Sequence, residues 1–172
     1  IERSANPRLP DGEEPRTALS VIVRSPVSGE RLRFVGVHLY RSEEERMAQA
    51  VALDSLLSDG ALPTVLAGDF NSTPESPVMA RLGESWEVVA KGEDRLTFSS
   101  YDPVREIDFV LLRPGERFAV LSQRLLDEPV ASDHRPVFVE LLVGEGAFGG
   151  AGARGPEGAT ATTQEAVEGR EA

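Results

Sequence analysis

The run Leu62-Pro63-Thr64-Val65-Leu66-Ala67 is apolar at almost every position and then stops at Gly68-Asp69-Phe70-Asn71. A strand that is apolar on both faces must be covered on both faces. This segment therefore demands a layered structure, with chain packed on either side of a sheet. It also delivers a carboxylate and an amide to the strand's end. Side chains two apart in extended chain point the same way, with roughly 7 Å between their Cα atoms, so Asp69 and Asn71 address the same space.

The neighbouring segments supply the layers. Residues 18–24 and 32–39 are β-rich runs separated by Pro26-Val27-Ser28-Gly29-Glu30, which reads as an antiparallel hairpin. Leu32, Phe34, Gly36 and His38 share one face of the second strand, with His38 closing it. Ser42-Glu43-Glu44-Glu45 is a capping-box start. The spacing of Met47, Ala50, Val51, Leu53 and Leu57 predicts a helix to about Ser58, ended by Gly60. Thr73-Pro74 reads as N-cap and first residue of a short helix ending at Gly83. Residues 86–90, 96–98, 107–112, 117–121 and 136–143 read as further strands. Mixed or antiparallel sheets with helices packed outside follow, an α/β chain of the α+β type.

At 172 residues there is room for one domain. Residues 144–172, rich in Gly, Ala and Glu, lack the large apolar residues needed to repay the entropy of ordering and are expected to form a disordered tail. Residues 1–15 are Pro-rich and aperiodic, expected to be a linker or the remnant of a missing N-terminal half, which leaves residues 16–143 as the domain. The net charge of −11 weighs against a protein that grips a long polyanion, whose affinity comes from neutralised phosphates. Lys91 is the only lysine. There is no cysteine, so disulfides and thiolate metal sites are excluded. No apolar run reaches membrane-spanning length. The opening Ile-Glu-Arg-Ser-Ala-Asn-Pro has neither a signal-peptide pattern nor an initiator Met, so the chain is expected to be a piece of a longer protein, and its localisation stays open.

The chain has two histidines, His38 and His134, and each sits in a polar cluster at the edge of an apolar run. Asp108 lies on a strand face continued by Val110 and Leu112, where a carboxylate is costly unless paired; a histidine is the obvious partner. Asp133 and His134 are adjacent, so aiming both at one site needs a bend just before Arg135-Pro136, where Pro136 holds Arg135 extended. Taken singly, each of these residues equally suits an ordinary turn, cap or structural role. Taken in order, carboxylates, one amide and imidazoles at strand ends are what metal-assisted attack on a phosphate ester requires.

In that order the residues resemble the endonuclease/exonuclease/phosphatase superfamily of metal-dependent phosphoesterases. The matching stretches are Phe34-Val35-Gly36-Val37-His38-Leu39, Val65-Leu66-Ala67-Gly68-Asp69-Phe70-Asn71-Ser72-Thr73-Pro74, Leu96-Thr97-Phe98, Arg105-Glu106-Ile107-Asp108-Phe109-Val110-Leu111 and Ala131-Ser132-Asp133-His134-Arg135-Pro136-Val137, with Arg46 and Gln49 on the helix. The resemblance implies a two-sheet β-sandwich flanked by helices, here the second half of a four-layer αββα fold. It implies that Asp69 orients or deprotonates the attacking water and that Asn71 holds it or a second metal. It implies that Asp133 ligates Mg²⁺ (or Mn²⁺), with Asp69 and Asn71 in the same metal set. His134 would bind the scissile phosphate or move a proton, Asp108 would orient His134, and His38 would contact the phosphate from the other side.

In this family an Asn and a metal-binding Glu precede these motifs. Asn6 lies in a Pro-rich segment, and Gln164-Glu165 copies the family's Gln-Glu pair only superficially, after the other motifs. Two readings follow. The first is a metal-dependent hydrolase of phosphate esters, for which the acidic balance favours a small molecule or lipid head group over nucleic acid. The second is a truncated or degenerate, catalytically silent copy that acts as a binding module. Half a sandwich would leave sheet faces and edges uncovered.

Overall fold

The computed structural model describes residues 1–10 and 14–144; the expected tail beyond Gly144, with Gln164-Glu165, lies outside the described residues. The strands are β1 (Arg3–Ala5), β2 (Ala18–Arg24), β3 (Arg31–His38), β4 (Thr64–Asp69), β5 (Glu87–Val88), β6 (Asp108–Arg113), β7 (Phe118–Leu125) and β8 (Val137–Val143); the helices are α1 (Glu43–Leu56) and α2 (Pro77–Gly83). A six-stranded sheet runs in the order β1-β2-β3-β4-β6-β5, and β7 pairs with β8 in a second sheet. All pairings are antiparallel except β3 with β4, which are parallel. A parallel pair needs a crossover, and α1 supplies it.

Strand β4 is covered on both faces, as its apolar run requires. Leu66 faces the helices together with Val35, Val37, Leu111 and Phe109, packing on Ala50 and Leu53 of α1, on Leu57 that caps it, and on Val78, Met79 and Leu82 of α2. Val65 faces the opposite way with Leu32, Val110 and Leu112, against Phe118, Val120, Val139, Leu141 and Val143 of the second sheet. Helices, large sheet and small sheet therefore form three stacked layers among the described residues, the mixed α/β sandwich expected from the sequence.

Several local expectations need correction. Residues 1–15 are not simply a linker: β1 pairs with β2 at the sheet edge, Arg8 bridges to Thr17, and Leu9 is buried. Ser42 does cap α1, accepting from Glu45 N at 3.4 Å, but Val51 is exposed and Gln49 takes a fully buried place. There Gln49 accepts from Tyr40 N at 2.9 Å and donates to the Pro10 carbonyl at 3.0 Å, which a Val could not do. α2 begins one turn later than Thr73-Pro74. Ser76 accepts from Met79 N at 3.2 Å, with Pro77 as the first helical residue, while Ser76 N closes a turn onto the Thr73 carbonyl at 3.0 Å. Residues 96–98 make only isolated bridges, from Phe98 to Arg105 and to His134. The Leu32/Phe34/Gly36/His38 face is apolar but only partly covered: Leu32 meets the second sheet, whereas Phe34 is 43% exposed.

Candidate active site

The parallel and antiparallel pairings on either side of β4 place three chemical groups in one row. His38 is the register partner of Asp69, and Asp69 of Asp108. Residues in register across a sheet share a face, so an imidazole and two carboxylates stand side by side at one end of the face that carries the second sheet. Each is locked by a buried neighbour. Leu39 and Phe70 are fully buried, and Ile107 and Phe109 nearly so. Leu39 N donates to the Asp69 carbonyl at 2.9 Å and Phe70 N to the Ile107 carbonyl at 2.9 Å, which carries the ladder past the strand ends. Phe70 meets Phe109 edge to face, with centroids 5.8 Å apart. The alternation of anchor and functional residue is what turns the polar groups away from the core.

Past Asp69 the backbone turns sharply. Asn71 has φ +48, a left-handed conformation that Asn tolerates. Its N–H donates to Asp69 Oδ1 at 2.7 Å. Its side-chain nitrogen donates to the Leu39 carbonyl at 2.9 Å, so Oδ1 is the end of the amide left for another partner. Gly68 precedes Asp69 with φ +147, its Cα packed against the Val37 backbone.

His134 enters from the loop before β8. Arg135 N donates to the Thr97 carbonyl and Ser100 N to the Asp133 carbonyl, both at 2.8 Å, and His134 N donates to Ser132 Oγ at 3.1 Å. These bonds make the bend that the sequence required before Arg135-Pro136, and both Asp133 and His134 reach the site. His134 Nδ1 lies 2.8 Å from Asp108 Oδ2, the predicted pairing. With that nitrogen held by a carboxylate, the other faces the cavity: His134 Nε2 is 4.0 Å from Asp69 Oδ2, and His38 Nε2 is 3.3 Å from the same oxygen. Asp69, whose side chain is 14% exposed, thus sits between two imidazoles, His38 being the outer one at 55%.

The electrostatics follow from this arrangement. Burial raises the Asp69 pKa above the ordinary carboxylate value; the Asn71 N–H opposes it, the Asp108 charge reinforces it, and the two histidines oppose it. For His134, burial works downward, but the hydrogen bond and charge of Asp108, with the charges of Asp69 and Asp133, outweigh it and the net shift is upward. The site sets a carboxyl of raised pKa beside an imidazole of raised pKa, the kind of perturbation found at proton-transfer sites.

All six predicted site residues, His38, Asp69, Asn71, Asp108, Asp133 and His134, line one cavity of about 790 Å³. Five further residues there had no role assigned from the sequence: Arg41, Arg105, Phe98, Ile107 and, on α1, Arg46. The first two flank the His38 and Asp108 motifs, and that adjacency was the available signal. Thr97 was also missed as a support: fully buried, its Oγ1 accepts from Ile107 N at 3.2 Å and Asp108 N at 3.3 Å. Among the described residues no three His, Cys, Asp or Glu side chains converge closely enough to hold a metal by themselves. A second cleft of about 320 Å³ lies between β1, β2 and α1; it holds the Arg33–Asp59 pair but no comparable convergence of reactive groups. No helix among the described residues is long and apolar enough to cross a membrane.

Residues 4–134 match the Endonuclease/Exonuclease/phosphatase family. The chain is 30% identical over 139 residues to Uncharacterized protein YbhP of Escherichia coli strain K12, an alignment covering 76% of this chain and 54% of that protein. It therefore spans about half the length of the curated relatives it matches. Its fold is similar to that of an endonuclease/exonuclease/phosphatase family protein from Bacteroides thetaiotaomicron (TM-score 0.75, 19% identity, covering 84% of this chain and 66% of that one). It is also similar to the mannosyl-6-phosphatase Bt3783 of the same species (TM-score 0.71, 19% identity, 83% and 66%) and to the catalytic domain of human Nocturnin (TM-score 0.69, 21% identity, 83% and 59%). The match to residues 4–134 takes in the strand row and runs through His134, and the chain belongs to the endonuclease/exonuclease/phosphatase family.

Proposed function

We propose that this chain carries the water-activating and proton-transferring groups of a metal-dependent hydrolase of phosphate esters. The observation that carries the reading is the continuous arrangement His38–Asp69–His134–Asp108, built from three neighbouring strands and one loop. Family membership supports phosphoester chemistry, and the Bacteroides relative named as a mannosyl-6-phosphatase is one instance of it.

The donor set suits a hard cation. Asp69, Asp133 and the Asn71 Oδ1 are oxygen donors around one cavity, and Mg²⁺ is commonly held by one or two carboxylates with water and substrate phosphate completing its shell. When bound there it would neutralise charge on the phosphoryl oxygens. The chain's own residues do the rest. Asp69 Oδ2, flanked by both imidazoles, holds the attacking water and accepts its proton. His134, oriented by Asp108 at Nδ1, faces the scissile phosphate with Nε2, donates a hydrogen bond to a phosphoryl oxygen and supplies a proton to the leaving group. His38 contacts the phosphate from the opposite side of Asp69. Water would attack in line with the departing oxygen.

The alternative reading is a silent binding module: among the described residues no three His, Cys, Asp or Glu side chains converge closely enough to hold a metal by themselves. Hydrolysis of bis(4-nitrophenyl) phosphate and 4-nitrophenyl phosphate by the full chain, with Mg²⁺, with Mn²⁺ and with chelator, separates the two. The catalytic reading expects turnover only with metal, lowered about 10²- to 10⁴-fold by Asp69→Asn or His134→Ala. Metal binding seen by calorimetry without turnover would establish the silent reading. Turnover untouched by chelator and by both substitutions would end the assignment of roles.

A further inference from the structure

Lys91 is the only lysine of the chain, and it is buried. Its Nζ pairs with Glu106 Oε1 at 2.5 Å, the two side chains being 1% and 9% exposed. Neither is among the residues that line the cavity of Asp69 and the histidines. The pair lies behind the wall of the site. Burial pushes the Lys91 pKa down, while the hydrogen bond and charge of Glu106 and the charge of Asp108 work the other way.

Its placement brackets Asp108. Glu106 stands two residues before Asp108, and Phe109 directly follows it. Lys91 Nζ engages both flanks, donating to Glu106 and lying 4.0 Å from the Phe109 ring centroid. Lys91 is held in turn by the second sheet, its carbonyl accepting from Gln123 Nε2 of β7 at 2.8 Å. Thr97 Oγ1 already fixes the backbone N–H groups of Ile107 and Asp108. One ammonium fixes the side chains on either side.

Stability alone does not call for such a pair. Two apolar side chains of similar volume often serve a core as well or better, because both charges must first be stripped of water. What the pair supplies is direction, since a charge-assisted hydrogen bond is short and oriented. Direction matters here: Asp108 Oδ2 meets His134 Nδ1 at 2.8 Å, and a swing of the carboxylate away from that geometry weakens the bond steeply. We infer that Lys91, acting through Glu106 and Phe109, is a positioning residue that fixes the Asp108 carboxylate against His134 and so aims His134 Nε2 into the cavity.

For its effect on turnover this inference rests on the phosphoesterase reading, but its deciding measurement needs no turnover. A proton on Nδ1 held by a carboxylate gives a downfield, slowly exchanging NMR signal, and in the metal-free full chain His38→Gln tells the two histidines apart. Lys91→Met with Glu106→Gln removes both charges and keeps both volumes. In that double variant the His134 signal is expected to move upfield and exchange with water about tenfold faster, the factor of one net hydrogen bond. Arg33→Met with Asp59→Asn removes an ion pair at the cleft beside β1 and α1 and should keep the wild-type signal. Where the Lys91 double variant does not fold, Glu106→Asp draws the carboxylate back by one methylene and should show the same change in smaller measure. Against a hydrolysable ester, kcat should fall about tenfold at a KM within about twofold, with no further loss on an Asp108→Asn background, since the effect runs through Asp108. A wild-type chain without the protected proton, a signal unmoved by the Lys91 and Glu106 variants, an equal change in the Arg33 variant, or a further loss on Asp108→Asn overturns the inference. A moved signal in a chain that hydrolyses nothing upholds it and refutes the catalytic reading alone. Metal-dependent hydrolysis with an unmoved signal does the reverse.

Discussion

Replacing Gly68 by alanine would place a methyl group 1.9 Å from the Val37 carbonyl oxygen, 2.9 Å from its carbon and 3.1 Å from its nitrogen. All three are backbone atoms of the adjacent strand, so no rotamer change can relieve the contact. The position also has φ +147, a region that L side chains rarely adopt, with a penalty of about 1–3 kcal/mol. Forcing β3 and β4 apart adds about 1–3 kcal/mol of overpacking. The expected loss is about 2–6 kcal/mol, a large part of the roughly 5–15 kcal/mol that holds a domain together. In urea, with a slope of about 1–3 kcal/mol per molar, this appears as a midpoint lower by roughly 2 M. The internal control is Gly36→Ala on the same strand pair, whose added Cβ meets nothing within 4 Å; it should be neutral or stabilising by up to about 1 kcal/mol. Chemical denaturation followed by far-ultraviolet circular dichroism reads both. If Gly68→Ala were no worse than Gly36→Ala, β4 would not be pressed against β3 as described, and the closeness of His38 to Asp69 would lose its structural basis.

Two other substitutions probe the site and its support. In Asp108→Asn, NMR titration of the metal-free protein should show the His134 midpoint falling, since the hydrogen bond and charge of Asp108 hold it up. Because the folded value lies above that of a free imidazole, about 6.5, the pair stabilises the fold fully below that pH and loses its contribution as pH rises through the folded value. The wild-type advantage over Asp108→Asn in urea should therefore be larger in mildly acidic than in alkaline buffer, and the opposite trend would refute the assigned coupling. Asp54→Ala should cost about 2–4 kcal/mol: Asp54 accepts from Trp86 Nε1 at 2.8 Å and Ser85 Oγ at 2.9 Å, and it pairs with Arg113 at 3.2 Å and Arg81 at 2.9 Å. Trp86 fluorescence against urea measures it, and a change under about 0.5 kcal/mol would mean that those groups find other partners.

What the sequence made legible was whatever one strand or one helix turn decides by itself. The two-sided burial of β4 followed from its apolar run, the start of α1 from Ser42 and Glu45, and the Asp108–His134 contact from the expense of a lone carboxylate on the Val110/Leu112 face. What stayed hidden was decided between distant segments. Arg3–Ala5 has no periodicity of its own and becomes a strand because the β2 edge offers it a ladder. Thr73-Pro74 and Ser76-Pro77 carry the same capping chemistry, and only the packing of Val78, Met79 and Leu82 against the sheet selects the second. Phe98 reads as the end of a short strand and Arg105 lies outside every expected element, yet their mutual bridge, and the one from Phe98 to His134, turns them into a wall of the cavity. Arg41 gave no periodic signal at all, because a cation at a cavity rim answers to a ligand and not to the core.

The alignment of His38, Asp69 and Asp108 across neighbouring strands has a consequence for how such a chain tolerates change. Side chains alternate along a strand, so sliding β3 or β6 by a single residue past β4 would send its member of the trio to the helix side while exposing a greasy one in its place. The hydrocarbon pattern of Val35, Val37, Leu66, Leu111 and Phe109 forbids that slip. Those five side chains never touch a reactant, yet they keep the reacting atoms in step. Mutations that soften this patch should blunt chemistry through misalignment before they unfold the molecule.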